Sequence, residues 1–336
     1  MKGRRVLSGM RPTGRVHLGN YLGAVRNWVR LQDEYDCFYA IVDYHGITTP
    51  FSPAELNENI EEMVVDLLAC GIDPERAVVF VQSDVPEHTE LAWILGAMTP
   101  LGWLERVPTF KEKAAQHPDH INLGLLGYPV LQTADIIIYK AEAVPVGEDQ
   151  LPHLELAREI VRRFNHQFGP VFPEPQAIVT RETARIMSLT EPEKKMSKSL
   201  GPDSYVALAD EPDEVRRKLR RAVTDVGPRP DGEMSPGVRN LFGLLEIFGS
   251  PDEYRTLRQQ YDAGTLRYVE LKDTLAEALI RHLEPIRLRR AELAGDRRRL
   301  RAILDAGAER ARSVARATLD EVRRAIGVGL AFRERP

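Results

Sequence analysis

The chain has 336 residues, with 46 Lys and Arg against 50 Asp and Glu, for a formal net charge of −4. A composition of 43% hydrophobic and 29% charged residues excludes disorder and fibrous repeats and suits a globular protein of about two domains. No apolar run approaches the ~20 residues of a membrane helix, and no secretory apolar segment follows the basic start Met1-Lys2-Gly3-Arg4-Arg5. Two cysteines, Cys37 and Cys70, are too few for a disulfide framework or a Cys-based zinc or iron–sulfur centre, so the sequence predicts a cytoplasmic protein without either group.

Predicted elements alternate in the first half. A short strand over residues 6–8 runs into a Gly/Pro-rich turn, Gly9-Met10-Arg11-Pro12-Thr13-Gly14. Residues 21–32 then place Leu22, Val25, Trp28 and Val29 on one helical face. Residues 37–43 form a continuous apolar run, as a strand buried on both sides should. Ser52-Pro53-Ala54-Glu55 predicts an N-cap, a first-turn Pro and a capping-box Glu opening a helix to about Cys70, which Gly71 stops. Residues 77–82 are the next buried strand. This alternation predicts an α/β domain with a parallel sheet covered by helices.

Beyond Pro192 the periodicity is helical over residues 215–223, 238–248, 252–261, 268–294, 298–306 and 308–326, with no convincing strand run. An all-helical second part joins the first near 180–200. Residues 211–336 carry a net charge of +5 and residues 1–210 carry −9. Of the basic residues in the second part, all but Lys218 and Lys272 are Arg, whose planar fork suits phosphate. That charge fits a nucleic-acid surface and equally fits solvated helix faces laced with ion pairs.

Two segments carry chemistry. In the first turn, Gly9, Gly14 and Gly19 allow close backbone approach, and His17-Leu18-Gly19-Asn20 offers two donors at a helix start, where free N–H groups also favour an anion. Such a turn alone is ordinary. Lys194-Lys195-Met196-Ser197-Lys198-Ser199 sets three ammonium groups and two hydroxyls in six residues, suited to a loop closing on a polyphosphate, or to a plain solvated loop.

Together, a His-x-Gly-[His/Asn] turn and a Lys-Met-Ser-Lys-Ser segment roughly 175 residues later resemble the paired signature of class I aminoacyl-tRNA synthetases. Ser8-Gly9-Met10-Arg11-Pro12-Thr13-Gly14, Gly19-Asn20-Tyr21-Leu22-Gly23-Ala24, Ile41-Val42-Asp43-Tyr44-His45, Tyr128-Pro129-Val130-Leu131-Gln132-Thr133-Ala134-Asp135-Ile136 and Val144-Pro145-Val146-Gly147-Glu148-Asp149-Gln150 resemble the bacterial tryptophanyl-tRNA synthetase family, over nearly the whole chain in order.

The resemblance implies a Rossmann-like catalytic domain over 1–185 with a connecting insertion at about 85–125. It further implies a lysine loop and linker over 186–200 and a helical anticodon-binding domain over 201–336, whose last helix is a candidate for packing back on the first domain. The implied reaction joins tryptophan to ATP, forming tryptophanyl-adenylate and pyrophosphate, then passes the acyl group to the terminal ribose of tRNA(Trp). A carboxylate is already a nucleophile, so catalysis rests on alignment and charge stabilisation.

The family implies catalytic roles for His17, Asn20, Lys195 and Lys198. Arg11, Pro12, Thr13, Gly19, Asn20, Gly147, Glu148, Asp149 and Ile186 would contact ATP, with Lys195, Met196, Ser197, Lys198 and Ser199 closing over it and Mg²⁺ travelling with the phosphates. Lys111 and Lys113 read equally as helpers or surface lysines. Asp135, in an otherwise apolar helix, would accept the indole N–H, although an Asp capping a neighbouring segment is the plainer alternative. Val144 and Val146 would pack on the ring, and Tyr128, Gln150 and His45 would hold the α-ammonium or carboxylate, His45 also fitting a core histidine. Phenylalanine would leave the acceptor unpaired, a logic worth about 10⁴-fold discrimination or more without editing.

Three positions depart from the common pattern: Asn20 in place of a second His, Arg11 where Gln is frequent, and Gln132 where some relatives have Met. The clustered C-terminal cysteines that bind an iron–sulfur cluster in some members are absent. Resemblance also implies a homodimer through the stripe around Trp93, Met98, Leu101, Trp103 and Leu104. His117 and His120 lack an apparent third metal ligand nearby. The rival functions are a tyrosine-specific relative, which usually has a different lysine loop and an extra C-terminal domain; a small nucleotidyltransferase, which would not need the helical tail; and a non-charging paralogue binding tryptophan or RNA.

Overall fold

The computed structural model describes residues 3–116, 118–179, 186–225 and 233–329. A five-stranded, wholly parallel sheet has the order β3-β2-β1-β4-β5, with β1 Arg5–Met10, β2 Asp36–Ile41, β3 Ala77–Val81, β4 Ala143–Val146 and β5 Gln176–Val179. Val6 lies opposite Cys37 on one side and Ala143 on the other. The chain winds outward from β1 to β3, then crosses back to β4. That reversal opens a crevice at the carboxyl ends of β1 and β4, where open parallel sheets bind ligands.

The apolar runs of β2 and β3 follow from burial on both faces. Val6, Cys37, Tyr39, Ile41 and Val79 join one core with Leu18, Trp28, Met63 and Leu67. Leu7, Phe38, Ala40, Val78 and Phe80 join the other with Ile137, Leu154, Phe164 and Leu319. Period-two alternation therefore sorts two apolar sets rather than an apolar and a polar one.

The helix after β1 begins at Leu18, three residues before its apolar periodicity suggests, and runs through Leu18–Asn20, a π-helical stretch Tyr21–Val25, and Arg26–Leu31. His17 supplies its cap. The predicted capping box at Ser52 does not form: Ser52 makes no side-chain cap bond, and the helix Pro53–Ala69 rests on its first-turn Pro and the burial of Met63 to Ala69. Gly71, at φ +108°, ends that segment in a backbone conformation that disfavours any side chain.

The later helices are Pro212–Arg221, Pro236–Phe248, Pro251–Asp262, Tyr268–Ala294 and Arg297–Ile326. Where the sequence predicts two helices parted at residue 307, there is one. A Cβ on Gly307 would lie 1.8 Å from the carbonyl oxygen of Val79, so the missing side chain lets the helix lie directly on edge strand β3 and cover it. Arg310 and Arg312 donate to the carbonyls of Pro74 and Asp84, while Arg316 and Arg323 pair with Glu87 and Glu90. Much of the C-terminal basic charge is thus held by carboxylates and carbonyls. No helix among the described residues is long and apolar enough to cross a membrane.

Candidate active site

A cavity of about 460 Å³ opens at the carboxyl ends of β1 and β4. Of the residues expected around tryptophan, Tyr128, Gln132, Asp135, Val144, Val146, Gln150 and His45 all line it, joined by Arg11 and Gly147. The helix Leu123–Ile137 presents Tyr128, Gln132 and Asp135 along one face at spacings of four and three residues.

Asp135 is almost wholly buried. Gln82 Nε2 donates to its Oδ1 at 2.8 Å, His88 Nδ1 to the same oxygen at 2.6 Å, and His45 Nε2 to Oδ2 at 2.7 Å. Burial alone would raise the pKa of this carboxyl, but the hydrogen bonds from His45 and His88 outweigh it and hold it well below the usual carboxylate range. Asp135 is therefore an ionised acceptor in the wall of the cavity, its partners all side chains, and does not cap a neighbouring segment. His45 lines the cavity and turns its Nε2 to Asp135. Tyr128 Oη lies 2.7 Å from His153 Nε2, and Gln150 Nε2 donates to Asp149 at 2.9 Å.

Beside the cavity, His17 Nδ1 accepts the backbone N–H groups of Gly19 (3.1 Å) and Asn20 (3.4 Å), which puts the ring proton on Nε2. Burial, then the charges of Lys198 and Lys195, push the His17 pKa down to about 4, so the ring is a neutral donor at pH 7. Asn20 Oδ1 accepts the His17 backbone N–H at 3.3 Å, leaving its amide NH₂ as a second donor. Gly19 is required here, because a Cβ would lie 2.9 Å from the His17 ring. The turn is clamped by Val16 N–H donating to Asp66 Oδ2 (3.0 Å) and by backbone bonds from Leu18 to Val206 and from Leu208 to Val16.

The lysine loop meets this turn. Lys198 Nζ donates to the carbonyl of Thr13 at 3.0 Å, and Met196 N–H donates to the carbonyl of Ile186 at 2.9 Å. Burial lowers the Lys198 pKa to about 8, against the opposing charge of Asp66. Lys195 is exposed beside it, and Ser197 and Ser199 share a 2.9 Å hydroxyl contact. Arg11 donates to Thr49 Oγ1 at 3.0 Å. Two segments far apart in sequence therefore flank one cleft with a neutral donor turn and an ammonium, an arrangement suited to a polyphosphate.

Ile186 is not brought to the cavity: it is buried and lines a separate hollow with Met187, Pro192, Pro236 and Asn240. Pro12 packs near Gly46, and Asp149 and Lys111 are exposed. The side chains of Lys113 and Glu148, and His117, lie outside the described residues, as does the 180–185 stretch of the predicted junction. Among the described residues no group of three His, Cys, Asp or Glu could hold a metal ion. Sequence reasoning missed Gln82, His88, His153 and Asp66. The one signal for Gln82 was its polar side chain at the carboxyl end of an apolar strand.

Residues 2–284 match the family model described as tRNA synthetases class I (W and Y). The Tryptophan--tRNA ligase of Parasynechococcus marenigrum is 46% identical, over 96% of this chain and 97% of that protein. Among solved structures, the tryptophanyl-tRNA synthetase of Campylobacter jejuni complexed with ADP and tryptophan superposes with a TM-score of 0.85 at 32% identity, covering 96% of this chain and all of that one. The Mycoplasma pneumoniae tryptophanyl-tRNA synthetase does so with a TM-score of 0.85 at 35% identity, covering 98% and 99%. With the crevice, the signature turn and the lysine loop in place, this chain belongs to the tryptophan–tRNA ligase family of class I aminoacyl-tRNA synthetases.

Proposed function

We propose that the cavity holds L-tryptophan with its indole N–H on Asp135, and that ATP lies across the turn from Arg11 to Asn20. The observation that carries this reading is the buried Asp135 carboxylate, held by Gln82, His88 and His45, on the wall of a cavity that Val144 and Val146 also line. Tyr128 and Gln150 hold the amino-acid end. Arg11, Pro12, Thr13 and Gly19 receive the nucleotide, with Gly147, Glu148 and Asp149 beside its ribose. Ile186 reaches adenine when the lysine loop closes, moving with Met196, to which it is bonded.

The tryptophan carboxylate attacks the α-phosphorus of MgATP and pyrophosphate leaves, so no enzyme nucleophile is needed. His17 Nε2–H and the Asn20 amide donate to phosphoryl oxygens as neutral groups. Lys195, Lys198 and the hydroxyls of Ser197 and Ser199 hold the departing pyrophosphate, with Lys113 as a helper. Preorganised donors of this kind contribute about 10²–10³-fold each. Mg²⁺ enters with the nucleotide as part of the substrate. The acyl group then passes to the 3′-terminal ribose of tRNA(Trp), whose anticodon end the helices of 201–336 read. A second copy covers the exposed apolar residues Trp93, Leu101 and Leu123, and the enzyme works in the cytoplasm.

ATP–pyrophosphate exchange with tryptophan, tyrosine and phenylalanine tests the assignment. Exchange is expected with tryptophan alone, and Asp135→Ala should lower it by about 10²-fold or more through loss of a buried charged acceptor. Comparable exchange with tyrosine would overturn the specificity.

A further inference from the structure

Asp135 has four lone-pair positions on two oxygens. Oδ1 is filled by Gln82 and His88, and Oδ2 has one partner among the described residues, His45, which itself lines the cavity. Gln82 and His88 do not line it; they approach the carboxylate from behind. Both are fully buried. Each is also fixed from its far end. Gln82 Oε1 accepts the backbone N–H of Tyr44 at 3.2 Å, so its amide NH₂ must face Asp135. His88 Nδ1 faces a carboxylate oxygen that can only accept, so the neutral ring carries its proton there, and Nε2 accepts from the hydroxyl of the fully buried Tyr139, 2.7 Å away.

We propose that His88 and Gln82 are positioning residues: by saturating Oδ1 from outside the cavity they leave Oδ2 as the single atom on which an indole N–H docks, and so set the preference for tryptophan over ligands lacking that donor. This rests on the reading of the cavity as the tryptophan site. Tyr139 acts one step further back, holding the His88 tautomer. A loosened carboxylate would rotate, split its acceptor capacity between core and cavity, and tolerate a ligand without an N–H. A merely structural network would instead affect every ligand of the cavity equally.

The test is calorimetric binding, on the full-length protein, of tryptophan and of benzothienylalanine, an isostere with sulfur in place of the indole N–H. His88→Leu should lower the tryptophan-to-isostere affinity ratio by about tenfold, the worth of a hydrogen bond to a charged group. His88→Asn, which can restore a donor at the Nδ1 position, should recover most of it, and Tyr139→Phe should lower the ratio by about threefold through loss of one neutral hydrogen bond. Equal losses for both ligands, or an unchanged ratio, would overturn the positioning role if Asp135→Asn still lowers the ratio. An unchanged ratio in Asp135→Asn would remove the underlying site reading and the proposal with it. Should His88→Leu fail to fold, Tyr139→Phe decides, since it deletes one oxygen and little volume.

Discussion

At His17, the helix cap and the proposed catalytic donor are the same ring. Because Nδ1 is occupied by the helix start, only Nε2–H can face a ligand, and burial beside two lysines keeps it neutral to about pH 4. The unfolded chain would take up that proton nearer the ordinary value of 6.5, so folded-state stability falls as pH drops from about 6.5 to 4. Lys198 works in the alkaline direction. Its folded pKa of about 8 lies below the ordinary 10.5, so burying it costs stability below pH 8, and that cost disappears as pH rises from about 8 to 10.5. A triphosphate would restore the charge, so MgATP binding should take up protons at pH above about 8. Calorimetry in buffers of different ionisation enthalpy reads this directly, and Lys198→Met should abolish it. The placing of His17 and Asn20 side by side was legible because both sit within one local turn. The partners of Asp135 were not, because Gln82 and His88 reach it from 53 and 47 residues away.

Among the elements, what was local in the sequence was legible and what depended on packing was not. β2 and β3 announced themselves as unbroken apolar runs, since each faces two cores, whereas the four-residue strands β4 and β5 did not. Ser52 and Ser250 both precede a Pro and stand three residues before a Glu, yet only Ser250 forms the capping box. Tertiary surroundings, absent from the four-residue pattern, decide between them. Gly307 misled in the same way: glycine ordinarily breaks helices, but here it is a point of backbone contact with β3. On an exposed helix a Gly→Ala change would stabilise by about 1 kcal/mol. Here Gly307→Ala drives a methyl into the Val79 carbonyl, and should destabilise by about 3 kcal/mol through overpacking. Denaturant titration of the variant checks the sign.

For the whole molecule, the question is how the helical C-terminal part is tied to the nucleotide turn. Asp66, fully buried, receives Val16 N–H on one oxygen and Arg290 on the other at 2.7 Å, while Arg290 also binds Glu62. The backbone just before His17 is thereby held to the helix Tyr268–Ala294 through one carboxylate. Replacing Arg290 with Met would leave that charge buried and uncompensated, costing about 3–5 kcal/mol in a thermal or denaturant melt. The basic C-terminal charge was legible as composition, but its engagement in internal ion pairs was not, because partners such as Glu87 and Glu90 lie more than two hundred residues upstream. In the proposed mechanism, His17 and Lys198 act on one triphosphate from the two sides of the cleft. A double-mutant cycle in ATP–pyrophosphate exchange with His17→Ala, Lys198→Ala and the double variant measures this. Each single change should lower kcat by about 10²–10³-fold, and the double variant should lose far less than the product of the two, as groups sharing one transition state do. Strictly multiplicative losses would mean that the two groups act independently, and would contradict the account.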